Sequence, residues 1–196
     1  LQLERSHLYK KMRALGIETL QTYCELLRSS GGQDEVQSAV DALTTNYTHF
    51  LREGTHFDFL VKAALPALLA RGQRRFNVWS AACATGEEPY TIAMYLAEHF
   101  PLAEGWDWRV TATDISTKAL GVAQQGVYSE ERIRQVPEGW LRRHFQMGHG
   151  RWAGHFRVKP SLSGRITFNQ LNLLELYGHP TPFEVVFCRN VMIYFD

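Results

Sequence analysis

The chain has 196 residues, 45% of them apolar and 21% charged, which is enough to bury a core and excludes disordered and collagen-like chains. The 21 Lys and Arg against 20 Asp and Glu leave a formal charge of +1, so any attraction to nucleic acid or an anionic membrane has to be local. Cys24, Cys83 and Cys188 are widely spaced and form no C-x-x-C pair, which supports neither a disulfide framework nor a zinc ribbon and fits a reducing, cytoplasmic setting.

In chain order, the first helix is marked by Leu8, Met12 and Leu15 at i, i+4 and i+7, with Gly16 at its C′ position. Leu20, Tyr23, Leu26 and Leu27 repeat the period in a second helix. Ser29-Ser30-Gly31-Gly32 then breaks the pattern and places a domain boundary, giving a helical N-terminal domain over 1–32 and a second domain over 33–196. A third helix is expected from Asp34 as N-cap, with Val36, Ala39, Val40 and Leu43 as its stripe.

From residue 54 helices and strands alternate. Helix is expected over 56–70, strand over 76–81, helix over 87–100 with Pro89 in its first turn, and strand over 108–113. Helix 115–125 and strands near 166–168 and 183–188 follow, and strands separated by long helices argue for a parallel sheet, an α/β fold. The glycine-rich piece from about 140 to 168 interrupts the alternation and reads as a small antiparallel insertion. No Asp or Glu occurs from Gly139 to Leu174, while Arg142, Arg143, Arg151, Arg157, Lys159 and Arg165 do, which fits a solvated hairpin face or a docking surface equally well. No apolar stretch reaches bilayer length: Phe57 to Ala70 is broken by Lys62 and Pro66. The N-terminus carries no signal-peptide pattern and reads as a cut within a longer protein.

The first strand runs into Ala82-Cys83-Ala84-Thr85-Gly86-Glu87-Glu88-Pro89, a strand, small-residue loop and helix start like a nucleotide-binding loop. G-x-G-x-x-G is absent, and two glutamates at the helix start would repel a phosphate. A nucleoside ligand without phosphates, such as S-adenosylmethionine with its sulfonium and ammonium cations, fits better. The alternative is that both glutamates only complement the helix dipole. Asp114, closing the second strand, is placed to hold ribose hydroxyls, or else to cap the following helix. His144, His149 and His155 lack a metal-ligand motif and are expected as exposed hairpin residues, with no metal site. Cys83 has no placed histidine partner and is expected as a small packing residue.

Several motifs together carry a family resemblance: Asn46-Tyr-Thr-His-Phe-Leu-Arg52-Glu53, Trp79-Ser-Ala-Ala-Cys-Ala-Thr-Gly-Glu-Glu-Pro-Tyr90, Ala112-Thr-Asp-Ile115, Asn172-Leu-Leu174 and Phe187-Cys-Arg-Asn-Val-Met-Ile-Tyr-Phe-Asp196. The chain resembles the CheR-type chemotaxis receptor glutamate O-methyltransferases. The resemblance implies a Rossmann-like S-adenosylmethionine-dependent methyltransferase fold, with a partial helical N-terminal domain facing the receptor and a three-stranded β insertion. It implies methyl transfer to glutamates on the cytoplasmic helices of methyl-accepting chemotaxis receptors, leaving S-adenosyl-L-homocysteine. It further implies a cofactor site lined by Asn46, Thr48, Arg52, Glu88, Asp114, Asn172, Leu173, Arg189 and Asn190, with Tyr194 near the methyl group and Arg52 acting on the acceptor. A receptor C-terminal tail is a possible second contact at the β insertion. Leu51 stands where the family has a second Phe, and the chain stops where the family continues into a final helix and strand pair, so the end of the fold is expected to be missing.

A glutamate acceptor is ionised at neutral pH, its reference pKa being about 4.3, so it needs no general base. Positioning then remains as the enzyme's task, with Arg52 orienting one carboxylate oxygen or, alternatively, pairing with Glu53 as a structural clip. A basic face of His7, Lys10, Lys11 and Arg13 on the first helix would steer acidic receptor helices. Two other readings are a nucleic-acid methyltransferase, disfavoured by the overall charge, and a non-catalytic signalling module. Neither nucleic-acid binding nor direct membrane insertion is expected.

Overall fold

The computed structural model describes residues 2–29, 31–70, 72–175, 178 and 182–195. Three helices open the chain: α1 (Gln2–Ala14), α2 (Leu20–Arg28) and α3 (Gln33–Leu43). Met12, Tyr23 and Ala39, one from each, form a small separate core with Leu8, Ile17, Leu26 and Leu27 around it. Thr19 caps α2 by accepting from the Thr22 N–H at 3.1 Å. α3 begins one residue before the expected cap: Gly32 is the cap, and Asp34 and Glu35 lie in the first turn, where carboxylates complement the free N–H groups. A Cβ on Gly32 would stand 2.0 Å from the Leu26 carbonyl oxygen, so this close approach requires glycine.

Lys11 departs from the expected basic face. Its Nζ donates to Ser38 Oγ at 2.6 Å and lies 3.3 Å from Glu35, which also accepts from the Tyr23 hydroxyl at 2.5 Å. Lys11 therefore binds α1 to α3, while Lys10 and Arg13 remain exposed.

The expected helix over 56–70 is split into α4 (Thr55–Phe59), a π-helical turn (Leu60–Ala64) and α5 (Leu65–Leu69). Pro66 has no N–H to give the Lys62 carbonyl, and the Leu65 N–H instead reaches Leu60 O across the widened turn. There follow β1 (Arg75–Ala81), α6 (Glu87–His99), β2 (Asp107–Asp114), α7 (Thr117–Gln125), β3 (Val127–Ser129), α8 (Glu130–Ile133), α9 (Glu138–His144), β4 (Phe145–Met147), β5 (His155–Val158), α10 (Pro160–Ser163), β6 (Ile166–Gln170) and β7 (Val185–Cys188).

The main sheet has the order β6-β2-β1-β7, every pairing parallel, as the alternation of strands and helices predicts. β1 lies inside it, and its Phe76 and Val78 share one large core with Ile92, Met94 and Leu96 of α6 and with residues of the neighbouring strands. Trp108 is fully buried and still satisfies its ring N–H by donating to Phe100 O at 3.0 Å.

The second sheet has the order β3-β5-β4 and is antiparallel. Its first strand lies ahead of the glycine-rich stretch, and β6 at the end of that stretch belongs to the parallel sheet. The six cations of the acid-free stretch are partly neutralised from outside it: Arg143 pairs with Glu98 at 2.7 Å and Arg165 with Asp107 at 2.9 Å, while Arg142 binds Glu138. His144 is not an exposed hairpin residue; it is buried, with Nε2 2.7 Å from Glu98, because α9 packs it beneath α6, whereas His149 and His155 are exposed. Among the described residues no helix is long and apolar enough to cross a membrane.

One clasp joins the N-terminal helices to the main sheet. Asp41 of α3 accepts from Ser116 Oγ at 2.7 Å and Thr117 Oγ1 at 2.9 Å, placing a carboxylate at the N-terminus of α7. Gln37 Nε2 adds a bond of 3.2 Å to the Ile115 carbonyl.

Candidate active site

The C-terminal ends of all four parallel strands open into one cavity of about 690 Å³, the size of a small-molecule site. Ala82 and Ala84 come from the loop after β1, Asp114 and Ile115 from the end of β2, Leu174 from beyond β6, and Arg189 and Asn190 from beyond β7. The 44–49 segment with Arg52 completes the wall, together with Val40, Leu43, Phe57 and Glu88. In an open parallel sheet this is where ligands bind.

Asp114 organises the floor. Its Oδ2 accepts from the Ala84 N–H at 2.7 Å and its Oδ1 from the Ser116 N–H at 2.8 Å, so one buried carboxylate ties the two strand-end loops together. Burial pushes its pKa up, and backbone N–H donors from Ser116, Ala84 and Ile115 pull it back. Three backbone donors on about four lone-pair positions leave the carboxylate one acceptor direction for a ligand hydroxyl.

The two glutamates at the start of α6 have separate fates. Glu87 is completely buried and binds Arg132, while Arg132 also donates to Thr85 Oγ1 at 2.6 Å. Glu87 is therefore a structural ion. Glu88 faces the cavity, accepting from Ser80 Oγ at 2.7 Å and from Arg189 Nη1 at 3.0 Å. Burial lifts the Glu88 pKa to about 7 in spite of these donors.

Arg189 is almost enclosed. It also donates to the Arg52 carbonyl at 2.6 Å and to Glu53 at 3.0 Å, and its guanidinium lies 5.1 Å from the centre of the Phe57 ring. Arg52 donates to the Tyr47 carbonyl at 3.1 Å and lies 3.8 Å from Glu53, so the clip foreseen for it is present, with the side chain still about a quarter exposed.

Backbone strain gathers here. Among the described residues, the non-glycine ones with positive φ, Leu51 (60°), Glu53 (55°), Ala82 (60°), Ala84 (49°) and Asn190 (55°), all belong to loops around the cavity. Gly86 at φ 95° opens α6, and a Cβ there would meet Ala123 at 2.8 Å and the Tyr128 hydroxyl at 2.9 Å.

Of the residues expected in the site, Asn46, Thr48, Arg52, Glu88, Asp114, Arg189 and Asn190 line this cavity. Asn172 and Leu173 do not. Asn172 is spent on its own turn, where its Oδ1 accepts from the Leu174 N–H at 3.1 Å, and Leu174 lines the wall instead. The backbone of Tyr194 lies in a 3₁₀ turn over Met192–Tyr194; its side chain falls outside the described residues. Cys83 is buried, and burial pushes its thiol far up, as suits packing rather than nucleophilic attack. His49 and Ser80 stand inside the 46–53 and 79–90 motifs without a role of their own in the sequence reading, and Phe57 lies outside the motifs; in the fold, Ser80 donates to Glu88, Phe57 lies against Arg189, and His49 lines the same cavity.

An open parallel sheet with its cavity at the strand ends, a loop after β1 without a glycine cradle and an acid closing β2 are the features of an S-adenosylmethionine-dependent methyltransferase fold. Residues 46–196 match the family described as CheR methyltransferase, SAM binding domain. The chain belongs to that family. It is 41% identical over 192 residues to a chemotaxis protein methyltransferase of Salmonella typhimurium and 42% identical over 192 residues to that of Escherichia coli, covering 97% of this chain in both cases. It is 41% identical over 196 residues to chemotaxis protein methyltransferase 2 of Pseudomonas aeruginosa, covering 68% of that protein. The chain spans 65% of the length of the Salmonella and Escherichia relatives.

Proposed function

We propose that this chain transfers a methyl group from S-adenosylmethionine to glutamate side chains on the cytoplasmic helices of chemoreceptors, making γ-glutamyl methyl esters in the cytoplasm. The observation that carries this reading is Glu88: a mostly enclosed carboxylate facing a nucleoside-sized cavity, on a loop with no glycine cradle for phosphate, in a chain of the CheR family. Bound S-adenosylmethionine supplies an electrophilic methyl group on a sulfonium. The residues present fit it: Glu88 would take its ammonium and Asp114 its ribose hydroxyls, with Asn46, Thr48 and Asn190 completing the polar lining.

The acceptor glutamate arrives ionised and needs no base. Arg52, held by the Tyr47 carbonyl and by Glu53, would orient one carboxylate oxygen without clamping both, since a bidentate grip would quench the nucleophile. Attraction between the acceptor carboxylate and a bound sulfonium would strengthen as the cavity walls exclude water. Tyr194 would line the acceptor's path. The N-terminal helices would face the receptor, and the antiparallel sheet offers strand edges at β3 and β4 where a receptor tail would pair.

The test is incubation with S-adenosylmethionine labelled in its methyl group and a cytoplasmic receptor fragment. Base-labile label on the fragment, lost when its acceptor glutamates are replaced by alanine, is the expected result; stable label, or label on nucleic acid, would sink the reading.

A further inference from the structure

Two buried side-chain nitrogens have no hydrogen-bond partner among the described residues, and both belong to walls of the same cavity: Arg189 Nε and His49 Nδ1. Leaving a polar atom buried and unpaired costs on the order of 1–3 kcal/mol, so two of them in one binding cavity point to a ligand group that satisfies them. Arg189 Nε can only donate, which calls for an acceptor. His49 lies between Thr48 and Phe50, its ring edge-on to Tyr47 with centroids 6.0 Å apart. Its backbone neighbourhood is fixed: Phe50 is fully buried, and the Leu51 N–H donates to Thr91 Oγ1 at 3.2 Å.

The charges acting on the His49 ring are mostly positive. Arg52 and Glu53 come from its own loop, Arg189 from beyond β7 and Arg134 from beyond α8; three are guanidiniums and one is a carboxylate already engaged by Arg189. Burial first, then the arginines, hold the imidazole below its ordinary pKa, so at neutral pH the ring is uncharged and can keep a proton on Nδ1. A neutral donor beside cations and an unpaired guanidinium N–H is a setting for an anion with two oxygens.

We propose that His49 is a positioning residue which, with Arg189, forms a carboxylate subsite in the cavity. The proposal deepens the methyltransferase reading and rests on it. Two carboxylates enter such a site, that of the amino-acid end of the cofactor and that of the acceptor glutamate, and both present the same chemistry to Nδ1–H. The arriving anion offsets the surrounding guanidiniums, so its binding raises the pKa of His49.

The experiment is an NMR titration of the whole chain with labelled histidine, following the His49 ring against pH. The ligands are S-adenosylhomocysteine, its analogue with the carboxylate removed and the amine kept, and a receptor fragment carrying either Glu or Gln at its methylation sites. A His49 pKa raised by about one unit with S-adenosylhomocysteine and not with the decarboxylated analogue assigns the subsite to the cofactor. A rise only when the Glu fragment is added, and not the Gln fragment, assigns it to the acceptor. In parallel, His49→Ala should weaken affinity for the responsible carboxylate about tenfold or more. His49→Asn, whose amide nitrogen falls near the place of Nδ1, should recover most of that loss, and His49→Gln should not. A His49 titration unmoved by any of these ligands, in a chain that binds S-adenosylhomocysteine, overturns the subsite alone. Absence of S-adenosylhomocysteine binding overturns the methyltransferase reading and the subsite with it.

Discussion

Glu88 and Arg189 meet where α6 and the segment after β7 come together, the Arg189 Nη1 donating to Glu88 Oε2 at 3.0 Å. Burial outweighs this contact and pushes the Glu88 carboxyl up to about 7, which leaves it poised near neutral pH. If ionised Glu88 is the form that takes the cofactor's ammonium, its pKa is lower in the complex than in the free protein. Affinity should then be full above pH 7 and fall about tenfold per pH unit as pH drops through 7. Calorimetry with S-adenosylhomocysteine from pH 6 to 8 measures this. Glu88→Gln should weaken binding at pH 8 and flatten the profile; a profile equally steep in the variant would assign the titration elsewhere.

Arg132 offers a prediction about stability. Its partner Glu87 is wholly buried, and removing one member of such a pair strands the other. Arg132→Ala should cost about 2–4 kcal/mol in denaturant unfolding, with Arg132 only partly buried to begin with. Glu87→Gln, which leaves no buried charge, should cost clearly less. Equal losses would mean that lost packing rather than stranded charge sets the effect.

Asp114 holds the loops after β1 and β2 as well as facing the cavity, so its replacement acts twice. Asp114→Ala should weaken cofactor binding by about 1.5–3 kcal/mol, the range for charge-assisted hydrogen bonds, and also lower the melting temperature through the orphaned Ala84 and Ser116 N–H groups. Unchanged affinity in calorimetry would confine Asp114 to the structural duty.

For Arg52 the expected outcome is a split between rate and binding. Arg52→Ala should reduce kcat far more than it weakens S-adenosylmethionine binding, since its assigned partner is the acceptor. Equal losses in both would make the contacts with the Tyr47 carbonyl and Glu53 its whole role.

Much of the fold is legible in the sequence, for reasons that particular residues make plain. β1 and β2 are short apolar runs ended by Ala82 and Asp114, and Pro89 and Gly126 bracket helical pieces, so the order of elements follows from local chemistry. β3 is harder to find, because three residues after Gly126 carry too little pattern and owe their conformation to pairing with β5. Glu87 and Glu88 look alike in sequence, yet neighbours on a helix point about 100° apart, and what selects Glu87 for burial is Arg132, distant in the chain. The same applies to Lys11, whose direction is set by Ser38 and Glu35 of α3. His49 stands in the 46–53 motif, but its role depends on a cavity wall and an unpaired nitrogen that only the tertiary fold creates.

The redirected Lys11 changes what the first helix can do for a receptor. Charge reversal of exposed Lys10 and Arg13 to Glu should raise the receptor KM at low salt, lose most of its effect at high salt, and leave cofactor affinity intact. Lys11→Glu should instead loosen the packing of α1 on α3, read as a lower melting temperature. Receptor kinetics indifferent to Lys10 and Arg13 at every salt concentration would remove α1 as a docking surface.

The left-handed residues around the cavity set a limit on improving this protein. Leu51, Glu53, Ala82, Ala84 and Asn190 occupy backbone conformations that glycine adopts at less cost, so a search for heat-resistant variants would readily select glycine there. Each such change would also widen the range of shapes open to the wall it belongs to. Heat tolerance and a well-shaped pocket would then pull in opposite directions at the same few positions, and directed evolution toward one should be seen to drift away from the other.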